Sequence, residues 1–246
     1  MDHWYIKASF QGPIIFNLSI DPFAIEVTDL NDDNNLDLIV MNGGAVSISV
    51  HMNDGNGNFS NEYVYGEPNN SYTVGQYPRF LTSADINNDQ KKDILVAVEH
   101  AGVVGILIGN GDSTFIKSEE FNVGIPPQAV STEGLSGDFN SDGNMDLALT
   151  CWGFPNDTSV VTILYGDGTG NFPDTANYSC GKNPNMIAKG DFNNDMLTDL
   201  AVANSRDTSI SVLFGKIDGT FESSVSISFG HDPNLTIRSY PYLVVN

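Results

Sequence analysis

Nine residues near the end of the chain, Asp191-Phe192-Asn193-Asn194-Asp195-Met196-Leu197-Thr198-Asp199, carry three carboxylates and one amide at positions 1, 3, 5 and 9. The same pattern, D-x-N-x-D-x-x-x-D, begins again at Asp29, Asp85 and Asp138, at intervals of 56, 53 and 53 residues. Oxygen donors at this spacing can meet at one point only if the backbone coils around it. Such a coil makes a hard, oxygen-lined cage for Ca²⁺, with a backbone carbonyl added from position 7. A single copy would be ordinary turn chemistry, because Asp and Asn favour turns. Regular recurrence points to metal instead. The expected ligands are Asp29, Asn31, Asp33, Asn35 and Asp37 in the first loop, and Asp85, Asn87, Asp89, Lys91 and Asp93 in the second. Asp138, Asn140, Asp142, Asn144 and Asp146 serve the third, and Asp191, Asn193, Asp195, Leu197 and Asp199 the fourth. Asn35, Lys91, Asn144 and Leu197 enter through their backbone oxygens, so up to four structural Ca²⁺ are expected.

The charge balance agrees with this reading. Lysine and arginine number 10 against 31 aspartates and glutamates, a formal charge of −21 over 246 residues. Nucleic acid is an improbable partner for so acidic a chain, since phosphate binding needs a positive surface. Four bound divalent cations would bring −21 to −13. Without them each loop holds three carboxylates together, which links folding to metal binding.

Around the loops there is almost no helical periodicity. Short runs of Val, Ile, Leu and Phe are punctuated by Gly, Asn, Asp and Pro, the pattern of many short strands. In the last repeat a turn at Gly181–Pro184 precedes a strand from Met186 that runs into the acidic loop. A second strand follows at Asp199–Ala203 and a third at Ile210–Phe214. A glycine-containing hairpin, closed by Phe221, then leads to a fourth at Val225–Phe229. Four antiparallel strands in about 50 residues is the unit of a β-propeller blade. The fold expected is therefore all-β, a single propeller over residues 1–246.

Register is fixed by landmarks. The hairpin phenylalanine recurs as Phe59, Phe115, Phe172 and Phe221, and the turn proline as Pro22, Pro78, Pro127, Pro184 and Pro233. Blades are expected at 21–75, 76–124, 125–181 and 182–230, with insertions near 67–71 and 131–134. Insertions in strict repeats go to exposed loops, which often carry binding specificity. Phe10 lies nine residues before Ser19, in register with Pro22, so residues 1–20 read as third and fourth strands. Residues 231–246 read as first and second strands. Together they would form one composite blade closing a ring of five. The alternative is a fragment of a seven-bladed propeller.

These residues resemble the FG-GAP repeat family, also described as VCBS repeats and found in integrin alpha-chain propellers. The naming motif stands here as Phe214-Gly215 with Gly230-x-x-Pro233, as Tyr165-Gly166 with Gly181-x-x-Pro184, and as Ile108-Gly109 with Gly124-x-x-Pro127. The resemblance implies a calcium site in the loop between the first two strands. Position 6, commonly glycine in that family, is Gly143 in one copy but Asn34, Gln90 and Met196 in the others. Glutamine and methionine are poorly suited to the positive φ such a turn asks for.

Signs of catalysis are weak. His3, His51, His100 and His231 show no ligand spacing, no G-x-S-x-G elbow occurs, and no serine is expected beside a base. Gly166-Asp167-Gly168-Thr169-Gly170 lacks the lysine and helix of a phosphate loop and reads as a hairpin turn. Trp152 either packs between blades or offers a ring to a sugar or protein on the face away from the acidic loops. Cys151 and Cys180 are either free or bonded. No run of 18 apolar residues is present, and the start lacks the order of a secretory signal. Six N-x-S/T sequons, at Asn17, Asn58, Asn69, Asn156, Asn177 and Asn234, favour a secreted glycoprotein. The function expected is a non-catalytic extracellular binding or cell-adhesion module for a protein or glycan ligand. A carbohydrate-binding lectin and a propeller domain of a polysaccharide-active enzyme are the alternatives.

Overall fold

The computed structural model describes residues 22–42, 47–66, 78–98, 102–123, 127–131, 138–153 and 158–228. The expected composite blade, the insertion near 67–71, all of the second insertion but Ser131, Trp4 and all histidines except His51 lie outside these residues. Within them the chain is all-β, as its short apolar runs predict.

Sixteen strands form four antiparallel four-stranded sheets, each a meander in chain order. The first comprises β1 (Pro22–Thr28), β2 (Asp37–Asn42), β3 (Ser47–Asn53) and β4 (Phe59–Gly66). The second comprises β5 (Pro78–Ala84), β6 (Asp93–Val98), β7 (Val103–Gly109) and β8 (Phe115–Asn122). The third holds β9 (Pro127–Ser131), β10 (Leu147–Gly153), β11 (Thr158–Tyr165) and β12 (Asp174–Ser179). The fourth holds β13 (Pro184–Gly190), β14 (Asp199–Asn204), β15 (Ser209–Leu213) and β16 (Val225–Ser228). Each sheet is a propeller-like blade. The first strands β1, β5, β9 and β13 stand next to one another in that order, so each blade packs on its neighbour.

Second strands are buried on both faces because they lie between two blades. Alternate side chains of β6 illustrate this: Ile94, Val96 and Val98 join Ile39, Met41, Ile48 and Val50 of the first blade. Leu95 and Ala97 join Leu147, Leu149 and Cys151 of the third. Between the third and fourth blades, Ala148, Val161 and Ile163 meet Ile187, Leu200, Val202 and Leu213. Near-continuous apolar runs such as Ile94–Val98 follow from this double burial, which polar/apolar alternation would not give. The outer strand β12 alternates between exposed and half-buried positions.

Both ends of the array keep apolar faces. Phe23, Ile25 and Val27 project from the side of β1 away from the second blade and are at least half exposed. On the far side of the fourth blade, Val225 and Ile227 are half exposed and Met186 partly so. The pairs Val212↔Val225 and Ile210↔Ile227 carry that apolar surface across β15 to β16.

The cysteines are free. Cys151 pairs with Val160 of β11, and Val160 pairs in turn with Ser179 of β12, the residue before Cys180. A whole strand separates the two thiols, so their Cα atoms are about 10 Å apart, beyond the reach of about 7 Å of a disulfide. Burial raises the Cys151 thiol to about 11 and the Cys180 thiol to about 12, which keeps both protonated.

Hairpins between third and fourth strands lock blade to blade. Gly219, at φ +77°, lies so close to the third blade that a Cβ would stand 2.2 Å from Asn140 Cα. Tyr165 Oη of the third blade donates to Gly219 O at 2.9 Å, and Phe221 N donates to Tyr178 Oη at 3.1 Å. Gly57 has a similar φ of +82° but open space around it. Gly219→Ala is therefore expected to cost on the order of 2–4 kcal/mol and Gly57→Ala only about 1 kcal/mol in denaturant unfolding. Equal losses would refute the blade-to-blade contact.

Candidate metal centre

Each acidic loop joins the first and second strands of its blade, and all four adopt one conformation. The backbone N–H of position 5 points between the side-chain oxygens of positions 1 and 3. In the third loop Asp142 N donates to Asp138 Oδ1 at 2.7 Å and to Asn140 Oδ1 at 3.1 Å. Asp33 N does the same with Asp29 and Asn31, both at 3.2 Å, and Asp89 N with Asp85 and Asn87, both at 3.1 Å. Asp195 N donates to Asp191 at 3.1 Å and Asn193 at 3.0 Å. The N–H of position 6 reaches the other oxygen of position 1: Asn34, Gln90, Gly143 and Met196 donate at 2.7, 2.8, 2.7 and 3.0 Å. The N–H of position 7 bonds the carboxylate of position 5, as Asn144 N does with Asp142 Oδ1 at 2.8 Å.

Two left-handed residues produce this coil. Position 6 has φ of 65°, 67°, 85° and 68° at Asn34, Gln90, Gly143 and Met196. The difficulty the sequence raised for Gln90 and Met196 is overcome, because the repeated N–H bonds outweigh about 1–2 kcal/mol of strain. Position 4 is left-handed too, at Asp32, Asn88, Ser141 and Asn194 (φ 58°, 59°, 61° and 62°). Sequence reasoning overlooked that position; its signal is the run of Asp, Asn and Ser, which tolerate this region best.

Position 9 is built differently from the rest of the loop. Asp37, Asp93, Asp146 and Asp199 are wholly buried. One oxygen of each accepts the N–H of position 2, from Leu30, Ile86, Phe139 and Phe192 at 3.0, 3.0, 2.8 and 2.8 Å. The other oxygen accepts an N–H at or just beyond the end of the third strand, from Asn53, Gly109, Gly166 and Gly215 at 2.9, 2.8, 2.9 and 2.8 Å. These donors were not foreseen, because nothing in the spacing ties a loop to a strand sixteen or more residues on. Burial raises the carboxyls of Asp93 and Asp146 to about 6, and the carboxylates at positions 5 and 1 push in the same direction. An exposed ion pair of 3.8 Å holds Lys91 to Asp89, so the lysine within the second loop leans on one of its own acids.

The residue types fit a hard divalent cation. Every donor is an oxygen, and a buried carboxylate lies beside two others whose charges oppose its ionisation. Among the described residues no three acidic, histidine or cysteine side chains converge into a ready-made cage. The oxygens are instead turned on the loop's own N–H groups, each with lone pairs left over.

Position 2 plugs the gap between blades. Leu30, Ile86 and Phe139 are 3%, 1% and 7% exposed. The hairpin of the next blade covers it: Gly170 lies against Ile86 and Asn87, and Gly219 against Phe139 and Asn140. Phe192, in the fourth blade, is 48% exposed. The fourth loop has the most apolar rim, with Met196 and Ile217 almost fully exposed.

One serine does stand beside a base, which corrects the sequence reading. Ser49 Oγ lies 3.0 Å from a ring nitrogen of His51, with both side chains buried. Asn42 Nδ2 also donates to Ser49 Oγ at 3.3 Å. The fourth blade repeats the arrangement without histidine, as Asn204 Nδ2 donates to Ser209 and Ser211 at 3.1 and 2.9 Å. The Asn–Ser pair is thus common to both blades, and the histidine is added in the first. Trp152, half-buried in β10, has its indole nitrogen inside the protein.

Comparison with known proteins places this geometry. Residues 29–96 and 85–149 match the FG-GAP-like repeat. Residues 29–149 thus belong to the FG-GAP-like repeat family, and the fourth blade repeats the same loop bond for bond. No curated protein sequence matches the chain at a significant level. Among solved structures the fold is similar to BBS1N, crystallised in complex with ARL6DN, at 14% identity and a TM-score of 0.57 over 87% of this chain and 59% of that one. A putative 6-phosphogluconolactonase from Bacteroides fragilis aligns at 15% identity and a TM-score of 0.59, over 82% and 54% of the two chains. A lectin of Agrocybe aegerita that recognises non-reducing terminal N-acetylglucosamine aligns at 15% identity and 0.53, over 81% and 50%. The chain spans between half and three-fifths of the length of these structures, and at such identities the likeness is one of fold.

The raised carboxyls of Asp93 and Asp146 add a component of their own to the pH dependence of the metal-free protein. The folded state binds a proton at Asp93 and Asp146 up to about pH 6, whereas the unfolded chain releases it near 4. Stability therefore falls as pH rises from about 4 to 6, by roughly 1–3 kcal/mol for each group. In chelator, the unfolding free energy is expected to decline over that window, and Asp146→Asn to flatten the decline. An unchanged pH profile in Asp146→Asn would contradict the assignment.

Proposed function

We propose that this chain is a non-catalytic, calcium-stabilised β-propeller acting as an extracellular binding or adhesion module. The observation that carries the reading is the fourfold recurrence of one loop, oxygen-lined and bonded in the same way each time. Ca²⁺ supplies two positive charges to a loop holding three carboxylates, one of them buried. In the bound state Asp138, Asn140, Asp142 and Asp146 give side-chain oxygens and Asn144 its carbonyl, and the other loops follow suit. The loops fix the first two strands of every blade and leave binding of a protein or glycan to the opposite face and the inserted loops near 67–71 and 131–134.

The apolar faces at both ends of the array support a closed ring. Phe23, Ile25 and Val27 on one side, and Met186, Val225 and Ile227 on the other, are where further blade surface belongs. In the reading favoured here residues 231–246 and 1–20 supply it as a composite fifth blade. Secretion fits the sequons, of which Asn58 and Asn177 are exposed among the described residues.

Thermal unfolding with millimolar Ca²⁺ and with chelator tests the metal. Each site filled at ten times its Kd adds about 1.4 kcal/mol, so several sites together raise the Tm by many degrees. Asp142→Ala is expected to remove one site's share. Identical melting in both buffers refutes the calcium reading.

A further inference from the structure

We infer that Lys91 is a tethered cation that competes with Ca²⁺ for Asp89, making the second acidic loop the weakest and last-filled of the four. The proposal rests on the calcium reading above and deepens it by giving that loop a response of its own. Over their nine residues the loops carry formal charges of −4, −1, −3 and −3 in chain order. The second stands apart because Lys91 and Lys92, two of the 10 lysines and arginines in the chain, lie inside it. The other three loops contain no lysine or arginine.

The side chain at position 7 leans on the hairpin of its own blade. Asn35 and Asn144 lie against Gly55 and Gly168, where a Cβ would meet their side-chain oxygens. Lys91 takes the same seat, its Cδ 3.0 Å from where a Cβ on Gly111 would stand. The φ of +78° at Gly111 suits glycine, and any side chain there would press on the lysine. The hairpin thus holds the stem across the loop, with the ammonium 3.8 Å from Asp89 Oδ2. The other oxygen of Asp89 accepts the backbone N–H of Lys91 at 2.9 Å. One residue therefore engages both oxygens of an expected ligand. On the hairpin side, hydrogen bonds from Thr114 hold the Asp112 carboxyl below its ordinary range, and the charge of Lys91 adds to them. An exposed ion pair contributes little stability by itself. It counts for more against a second cation seeking the same carboxylate, because a divalent ion must displace the ammonium and then lie beside it. At separations found within one loop, that repulsion is worth about tenfold in affinity. The backbone carbonyl of Lys91 is untouched by this, so the lysine alters the affinity of the loop and not its ligand set.

Calorimetric titration of the full chain with Ca²⁺, starting from chelator-stripped protein, tests the competition. Asn and Leu occupy position 7 in the other loops, so Lys91→Asn and Lys91→Leu suit the fold. The wild type is expected to show one step about tenfold weaker than the rest, which Asp89→Ala abolishes and both Lys91 variants strengthen about tenfold. In chelator both variants are expected to melt below the wild type, having lost a cation from an acidic loop. In millimolar Ca²⁺ they are expected to regain that loss, because the ion replaces the missing charge. A lysine with a purely structural role would lower the Tm equally in both buffers. That result, or a weakest step unmoved by Lys91→Asn, or equal steps in the wild type, overturns the proposal and leaves the calcium reading standing. No calcium uptake by the wild type or by either variant overturns the calcium reading and the proposal with it.

Discussion

Asp37, Asp93, Asp146 and Asp199 stand where three segments of a blade meet, and none reaches water. Each takes one N–H from the start of its acidic loop and another from the end of the third strand. A carboxylate held by two backbone donors joins loop to sheet with bonds stronger than neutral ones. At Asp93 and Asp146 burial opposes the charge, and the neighbouring acids oppose it further. The blade thus concentrates negative charge where its strands cross. A divalent cation is the natural relief, and a proton is the alternative. The fold and the response of Asp93 and Asp146 to pH are bound together at this one point, and the proposed metal would bind there.

From that junction the packing follows. The loop coils over the buried carboxylate and sends its second residue into the gap between blades, under the next hairpin. Tyr165, Tyr178 and the rings of Phe139 and Phe221 complete the seam between the last two blades, with Phe139 and Tyr178 each edge-on to Phe221 at 5.6 and 5.5 Å. Each acidic loop of the second and third blades is therefore buttressed by the blade that follows it. The fourth has the same internal bonds, and among the described residues its apolar rim of Phe192, Met196 and Ile217 is exposed.

Much of this was legible in the chain. The recurring aspartates marked the loops, the runs of Val, Ile and Leu marked the strands, and Phe59, Phe115, Phe172 and Phe221 marked the hairpins. Strand ends moved by one or two residues, as with β15, which begins at Ser209 in place of Ile210. What spacing could not reveal were contacts made across it. The two hydrogen bonds accepted by position 9 join residues seven and sixteen or more apart, and the pairing of Ser49 with His51 depends on both facing one side of β3. Met196 at positive φ defied its propensity because three N–H bonds around it enforce the coil. The separation of Cys151 from Cys180 needed strand order, which sequence distance does not give.

Counting ions on the intact chain by native mass spectrometry, after exchange into dilute Ca²⁺, bears most directly on the central claim. Four cooperating copies of one loop call for occupancy approaching four Ca²⁺ per chain, with Asp142→Ala lowering the count by one. A chain that carries no more calcium than a non-binding control of equal charge would show that these loops are held by their own N–H groups alone.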